Sequence, residues 1–262
     1  MIELKDVTKS FGELHVLRGV SLKLPMRQTT AIIGPSGAGK SVLLKLLVGL
    51  IRADSGEVLC FGADMGRADD DELYAVRRRF GMLFQDGALF DNLSVAENVE
   101  FPLIHHRRDL KPSQRRDRVM AALEQVGLPE LADRPTGRLS GGQRKRVGIA
   151  RAIITEPEVV LFDEPNSGLD PVTSDAIDGL ILSMKKSLGV TFIIITHDIV
   201  GTLNVADHIG MLYEGRLVQF GPTEELVQAP NPILRRFLQR NVSLPDPGHS
   251  GFELPSVRQR AM

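Results

Sequence analysis

The sequence predicts an α/β domain with a mostly parallel central sheet and a helical lobe let into it. Short apolar runs at residues 30–33, 159–162 and 191–196 alternate with stretches of helical spacing, the pattern of strands joined by crossover helices. A glycine-rich segment, Gly34-Pro35-Ser36-Gly37-Ala38-Gly39-Lys40-Ser41, stands between the first of these runs and a leucine-rich one. From about residue 94 to residue 152 the pattern turns helical and charged, which predicts the second lobe.

In chain order, residues 2–25 alternate in the manner of two strands around a turn at Ser10-Phe11-Gly12. Residues 30–33 read as a buried strand and residues 42–50 as the helix after the glycine-rich loop. Residues 56–61 and 80–84 read as strands, with a helix over 72–79 between them. Within the lobe, residues 119–126 carry apolar positions at helical spacing. Residues 159–162, 191–196, 209–213 and 216–220 then read as strands, with a helix over 172–188 between the first two. Residues 224–228 precede a short basic helix over 232–240. The last twenty or so residues hold Pro, Gly and Ser and are expected to be disordered. No internal repeat is visible. The expected division is a domain over 1–225, with the helical part at about 90–155, and a terminal helix and tail over 226–262.

The composition narrows the class. The 262 residues carry 32 Lys plus Arg against 33 Asp plus Glu, a net charge of −1, which gives no electrostatic case for nucleic acid as a partner. The single cysteine, Cys60, excludes an internal disulfide and fits a reducing compartment; its apolar surroundings make it core filler. No apolar run approaches the ~18 residues of a membrane-spanning helix, and the N-terminus has no signal-peptide pattern. The expectation is a cytosolic chain; if it serves transport, the membrane part lies on another polypeptide. Three basic clusters, Arg77-Arg78-Arg79, His105-His106-Arg107-Arg108 and Arg144-Lys145-Arg146, read as solvated helix faces, the alternative being contact with partners or lipid head groups.

The chemistry starts at Gly34–Ser41, which fits G-x-x-x-x-G-K-[ST]. Its glycines let backbone N–H groups turn onto phosphate oxygens, Lys40 reaches the β- and γ-phosphates, and the Ser41 hydroxyl is a ligand for Mg²⁺. Asp163 and Glu164 follow four apolar residues. Gly34, Asp163 and His197 all follow the carboxyl ends of apolar strands, where ligands gather in open α/β sheets.

Gln85, Leu139-Ser140-Gly141-Gly142-Gln143, residues 159–164 and His197 complete a fixed order of motifs after the phosphate loop. The set, over about residues 2–225, resembles the nucleotide-binding subunit of an ABC transporter; the pentapeptide at 139–143 is the most class-specific piece. The resemblance implies a P-loop NTPase with a RecA-like core, an N-terminal antiparallel β part and a helical subdomain, binding ATP and Mg²⁺. It implies that Asp163 holds the metal, that Glu164 polarises the attacking water, that Gln85 touches both, and that His197 contacts the γ-phosphate. It further implies a head-to-tail dimer in which Ser140, Gly141, Gly142 and Gln143 act on the other subunit's ATP, with Ser167-Gly168-Leu169-Asp170 crossing to the opposite site. Phe11 stands where an aromatic residue stacks on adenine, the alternative being a buried hairpin Phe. Val42 departs from the pattern, which often has a second hydroxyl there.

Within that class, Gln85-Asp86-Gly87-Ala88-Leu89-Phe90 is similar to the ATPases of Mla and Mce lipid-transfer systems, as are Phe101-Pro102-Leu103 and Asp163-Glu164-Pro165-Asn166-Ser167-Gly168-Leu169-Asp170-Pro171. This implies a permease, a lipid-binding substrate protein and a small accessory subunit as partners, at the cytoplasmic side of the inner membrane. The other readings are an ATPase for a different small solute, one acting on DNA or ribosomes, and a non-hydrolysing regulatory subunit. The chain lacks long coiled-coil insertions and a second cassette, which counts against DNA or ribosomes; intact Lys40, Asp163, Glu164 and His197 count against the regulatory reading. The apolar positions of the 232–240 helix, Ile233, Leu234, Phe237 and Leu238, need a surface, either the same domain or a neighbouring subunit; the expectation is that the helix helps hold the dimer or an accessory protein.

Overall fold

The computed structural model describes residues 1–85 and 87–241. The predicted order of elements is present, with two sheets at its centre. The first, antiparallel, has the order β2-β1-β4-β5, from β1 (Ile2–Phe11), β2 (Leu14–Leu24), β4 (Ser55–Cys60) and β5 (Ala63–Asp64). The second has the order β10-β9-β3-β8-β7-β6, from β3 (Thr29–Ile33), β6 (Phe80–Leu83), β7 (Val159–Asp163), β8 (Thr191–Thr196), β9 (His208–Tyr213) and β10 (Arg216–Pro222). Strands β9, β3, β8, β7 and β6 run parallel, and β10 adds antiparallel at the edge. Every residue of β3 and of β8 is buried. A parallel sheet covered on both faces needs such continuous apolar strands rather than alternating ones.

Two hydrophobic cores lie on opposite sides of this sheet. Ala31 and Ile33 face one, Ile32 faces the other, as period-2 alternation requires. One core joins the antiparallel sheet to α1 (Lys40–Leu47) and α2 (Asp70–Arg77) and takes in Cys60, whose thiol burial pushes up to about 12. The other joins α6 (Pro171–Leu188) and the lobe helices α3 (Val95–His106), α4 (Pro112–Gln125) and α5 (Gly141–Ile153).

That second core also includes Leu226 of α8 (Thr223–Gln228) and Leu234 and Leu238 of α9 (Pro232–Asn241), with Ile233 and Phe237 packed against it. Leu234 and Leu238 are 0% and 1% exposed. The terminal helix therefore finds its surface in its own domain, against α7 (Ile199–Val205) and β10, and its apolar face makes no demand for a neighbouring subunit. The tail beyond residue 241 lies outside the described residues. Among the described residues, no helix is long and apolar enough to cross a membrane.

Helix α7 and strand β5 have no counterpart among the elements the sequence predicts. Helix α7 is seven residues long and starts from the Asp198 cap, and β5 has only two residues, so neither carries a period long enough to read. The basic cluster 144–146 is also corrected. Lys145 is 4% exposed, on the inward face with Gly142 and Ile149, and not on a solvated one.

Candidate functional site

The glycine-rich segment makes the turn from β3 into α1. Gly34, Gly37 and Gly39 have φ of 151°, 78° and 102°, a region where side chains are strained. A Cβ on Gly34 would lie 2.1 Å from the Leu212 carbonyl oxygen, and one on Gly39 2.7 Å from Leu17 Cδ2. The loop can thus follow only a glycine path. Lys40 opens α1, and its ammonium, 7% exposed, donates to the Gly34 carbonyl at 2.9 Å and the Pro35 carbonyl at 3.1 Å. Burial lowers the Lys40 pKa, and the nearby Glu164 and Asp163 carboxylates oppose that shift.

Strand β7 delivers Asp163 and Glu164. The Ser41 hydroxyl donates to Asp163 Oδ1 at 3.3 Å. Burial raises the Asp163 pKa, with the Ser41 hydrogen bond opposing and Glu164 adding to the rise. Glu164 has φ of 52°, left-handed backbone that costs a non-glycine residue roughly 1–3 kcal/mol. Its peptide is held on both sides: the N–H donates to the Ile195 carbonyl at 2.8 Å, and the carbonyl accepts from Ser167 Oγ at 2.9 Å and Lys145 Nζ at 3.0 Å. This turn swings the Glu164 side chain to His197, just past the end of β8. Glu164 Oε2 lies 2.7 Å from His197 Nδ1 and accepts from the His197 N–H at 3.3 Å. Glu164 Oε1 lies 4.0 Å from Lys40 Nζ.

A cleft of about 600 Å³ is lined by Ser36, Gly37, Gly39, Lys40, Ser41, Val42, Gln85, Glu164 and His197, with Leu14 and Val16 of β2 on its wall. The phosphate loop, the end of β6, the acidic pair and His197 thus converge from distant parts of the chain. Gly34, Pro35 and Ala38 shape the loop from outside that lining, and Asp163 adjoins it through Ser41. Phe11, at the end of β1, is 49% exposed, so it is no hairpin core residue; Lys9 Nζ stands 5.5 Å from its ring centroid.

Ser140, Gly141, Gly142, Gln143 and Asp170 do not line the cleft. Ser140 caps α5: its Oγ accepts from the Gln143 N–H at 3.3 Å while Gln143 Oε1 accepts the Ser140 N–H at 3.0 Å, a reciprocal capping box. The Gln143 side chain is therefore committed within its own segment. Asp170 is committed likewise, capping α6 through the Thr173 N–H at 3.0 Å and hydroxyl at 2.6 Å, which hold its carboxyl below the usual range. Gly142 is pressed on α6, where a Cβ would meet Thr173 Cγ2 at 2.5 Å.

Sequence reasoning missed Lys145 and Arg151. The Arg151 guanidinium donates to the Gly87 and Ala88 carbonyls at 2.7 and 2.9 Å and so fixes the segment after Gln85. The spacing Gly142, Lys145, Ile149 on an otherwise charged helix was the available signal for the first; nothing local marks the second.

Residues 17–167 match the family model described as ABC transporter. The chain belongs to the ABC transporter family. Among relatives of this ABC ATPase are the probable ribonucleotide transport ATP-binding protein mkl of Mycobacterium leprae, 43% identical over 90% of this chain and 68% of that protein, and the Escherichia coli K12 intermembrane phospholipid transport system ATP-binding protein MlaF, 39% identical over 91% and 88%. Protein TRIGALACTOSYLDIACYLGLYCEROL 3, chloroplastic, of Arabidopsis thaliana is 40% identical over 90% of this chain and 73% of its own. Among solved structures, the dimeric post-hydrolysis state of the ATP-binding cassette MJ0796 bound to ADP and Pi superposes with a TM-score of 0.78, 34% identity, and coverage of 85% of this chain and 99% of that one.

Proposed function

We propose that this ABC ATPase powers phospholipid or other lipid transport across a cell envelope, as a peripheral subunit on the cytoplasmic side of the inner membrane. It works as a head-to-tail dimer with two composite ATP sites. The observation that carries the chemistry is the convergence of Lys40, Ser41, Gln85, Glu164 and His197 on one cleft while Ser140, Gly141 and Gly142 stay outside it. Such an arrangement leaves one face of bound ATP for a second subunit.

In this reading, backbone N–H groups of residues 36–41 and the N-terminus of α1 hold the phosphates. Lys40 neutralises charge on the β- and γ-phosphates, exchanging its bonds to Gly34 and Pro35 for phosphate oxygens. Glu164 accepts the proton of the attacking water as it meets the γ-phosphate, and His197 holds that carboxylate in line. Catalysis is then positioning and charge neutralisation. Ser41 and Asp163 present hard oxygens 3.3 Å apart, and with Gln85 they make a donor set fitting Mg²⁺. Bound there, the ion would neutralise charge on the β- and γ-oxygens.

The lipid assignment draws on the likeness to the phospholipid ATPase MlaF and on the sequence at Gly87-Ala88-Leu89-Phe90. That segment borders a groove of about 300 Å³ lined by Phe84, Ala88, Phe90, Phe101, Pro102 and Arg151. Phe84, Phe90 and Phe101 are all exposed there, a face suited to an integral-membrane permease. A lipid-binding substrate protein and a small accessory subunit complete the assembly. The name of the Mycobacterium leprae relative favours a second reading, ribonucleotide transport. Affinity purification of the tagged chain from its own membranes, followed by mass spectrometry of co-purified proteins and lipids, tests both. A multi-pass permease with a lipid-binding protein and enriched phospholipid is expected; a nucleotide permease without lipid would overturn the lipid assignment.

A further inference from the structure

We propose that Lys145 is a positioning residue that ties the Ser140-Gly141-Gly142 segment to the hydrolytic groups of its own subunit. It would thereby make turnover in one composite site depend on engagement at the other. The proposal rests on the composite-site reading above.

Lys145 lies five residues beyond the Ser140 cap, about 7.5 Å along a rigid helix. Among the described residues, its ammonium donates to oxygens from three separate segments: the Gln85 carbonyl, the Glu164 carbonyl at 3.0 Å and Ser167 Oγ at 3.2 Å. Gln85 and Glu164 are the cleft residues that face the attacking water in this mechanism. Ser167 opens the Ser167–Asp170 loop, which leads toward the opposite site. The contacts to residues 85 and 164 are to backbone carbonyls, which spares the Gln85 and Glu164 side chains for chemistry.

The grip on Glu164 matters because that residue sits at φ 52°. A strained turn persists only where its surroundings hold it. Ile195 holds one side of the peptide, Lys145 and Ser167 the other. If α5 shifts when its N-terminus meets the partner's ATP, Lys145 moves with it and re-aims Glu164. A buried ammonium is costly unless hydrogen-bonded. A side chain placed only to fill this space would be better apolar.

The test compares the full-length wild type with Lys145→Met, Lys145→Gln and Ser167→Ala at concentrations where wild-type turnover depends on dimer formation. Readouts are kcat, KM, the Hill coefficient for ATP, fluorescent-nucleotide affinity of the single subunit, and thermal melting. Lys145→Met should lower kcat at least tenfold and bring the Hill coefficient from near two toward one, with single-subunit nucleotide affinity within twofold of wild type. Lys145→Gln, which keeps an N–H donor, should recover part of both. Ser167→Ala should lower kcat severalfold, and add nothing when combined with Lys145→Met. A wild-type kcat in Lys145→Met overturns the proposal, as does a lowered kcat with an unchanged Hill coefficient. Should Lys145→Met melt early, wild-type kcat and cooperativity in both Lys145→Gln and Ser167→Ala overturn it instead. A wild type with no cooperativity and turnover linear in protein concentration would remove the composite-site reading itself.

Discussion

Replacing Glu164 by Gln isolates one function from several that meet at this residue. The amide keeps the size of the carboxylate and an oxygen that can still accept the His197 N–H, so the local geometry survives. What is lost is the capacity to take a proton. Removing a general base costs about 10²- to 10⁴-fold in rate, or roughly 2.7–5.5 kcal/mol. Binding should respond in the opposite sense. Glu164 Oε1 is 4.0 Å from Lys40 Nζ, the ammonium proposed to meet the γ-phosphate. Two anionic groups beside one cation repel, so the neutral amide should leave ATP affinity unchanged or raised. A slow enzyme with tightly held ATP should accumulate as the nucleotide-sandwiched dimer. Phosphate release under saturating ATP gives kcat, and light scattering with and without ATP gives the mass. A variant with kcat within threefold of wild type would refute the assignment of Glu164, whatever its oligomeric state.

Ser41→Ala should lower the apparent affinity for Mg²⁺·ATP more than for metal-free ATP, a difference visible by titration calorimetry in magnesium and in EDTA. Leu238→Ala should destabilise the chain by about 2–5 kcal/mol, as large-to-small changes in a packed core do; chemical denaturation measures it. Truncation at Gly221 removes the buried Leu226, Leu234 and Leu238, each worth about 1.5–3 kcal/mol, so circular dichroism should report general unfolding and not only weaker subunit association. Asp178 has its carboxyl pushed up to about 6, by burial first, with Asn166 opposing and Asp198 and Asp175 adding. Because the folded pKa exceeds the unfolded one, the fold binds the extra proton, and stability falls as pH rises from about 4 to 6, then levels off. The change should be of order 1 kcal/mol at this half-buried group, and Asp178→Asn should abolish it in urea melts taken across that range.

Much of this was legible in the sequence because it rests on local rules. The phosphate loop is bounded by an apolar run and a leucine-rich helix. Asp163, Glu164 and His197 each sit at the end of a run of β-branched and apolar residues. What the sequence hid depends on contacts distant in the chain. Lys145 stands between Arg144 and Arg146, and nothing in that triplet distinguishes the inward residue; the oxygens that receive it come from residues 85, 164 and 167. Arg151 is masked in the same way, by partners more than sixty residues away. The destination of α9 was ambiguous for a different reason: an apolar face specifies that it must be covered, not by which surface.

The polar groups assigned to ATP share one property. Lys40 is bonded to its own loop, Ser41 to Asp163, Glu164 to His197, Ser140 to Gln143, and Asp170 to Thr173. Each is already engaged in at least one hydrogen bond, so nucleotide binding and dimer closure draw on exchange of partners together with the capacity that remains, such as the Ser140 hydroxyl, which accepts in its capping box and can still donate. An exchange of neutral hydrogen bonds is worth little, about 0.5–1.5 kcal/mol each. Charge-assisted bonds to phosphate are roughly twice as strong, and this bias favours the ligand at the donors, Lys40 and Ser140. The bias is largest at Lys40, where an ammonium trades two neutral carbonyls for phosphate oxygens. It is smallest at Ser140, whose neutral hydroxyl accepts the Gln143 N–H in its capping box and can still donate its own hydrogen. Binding to the single subunit should therefore be driven through Lys40. Closure, resting on the weaker, neutral hydrogen bond that Ser140 can donate, should be the more easily reversed step, as a motor that must reopen after each hydrolysis requires.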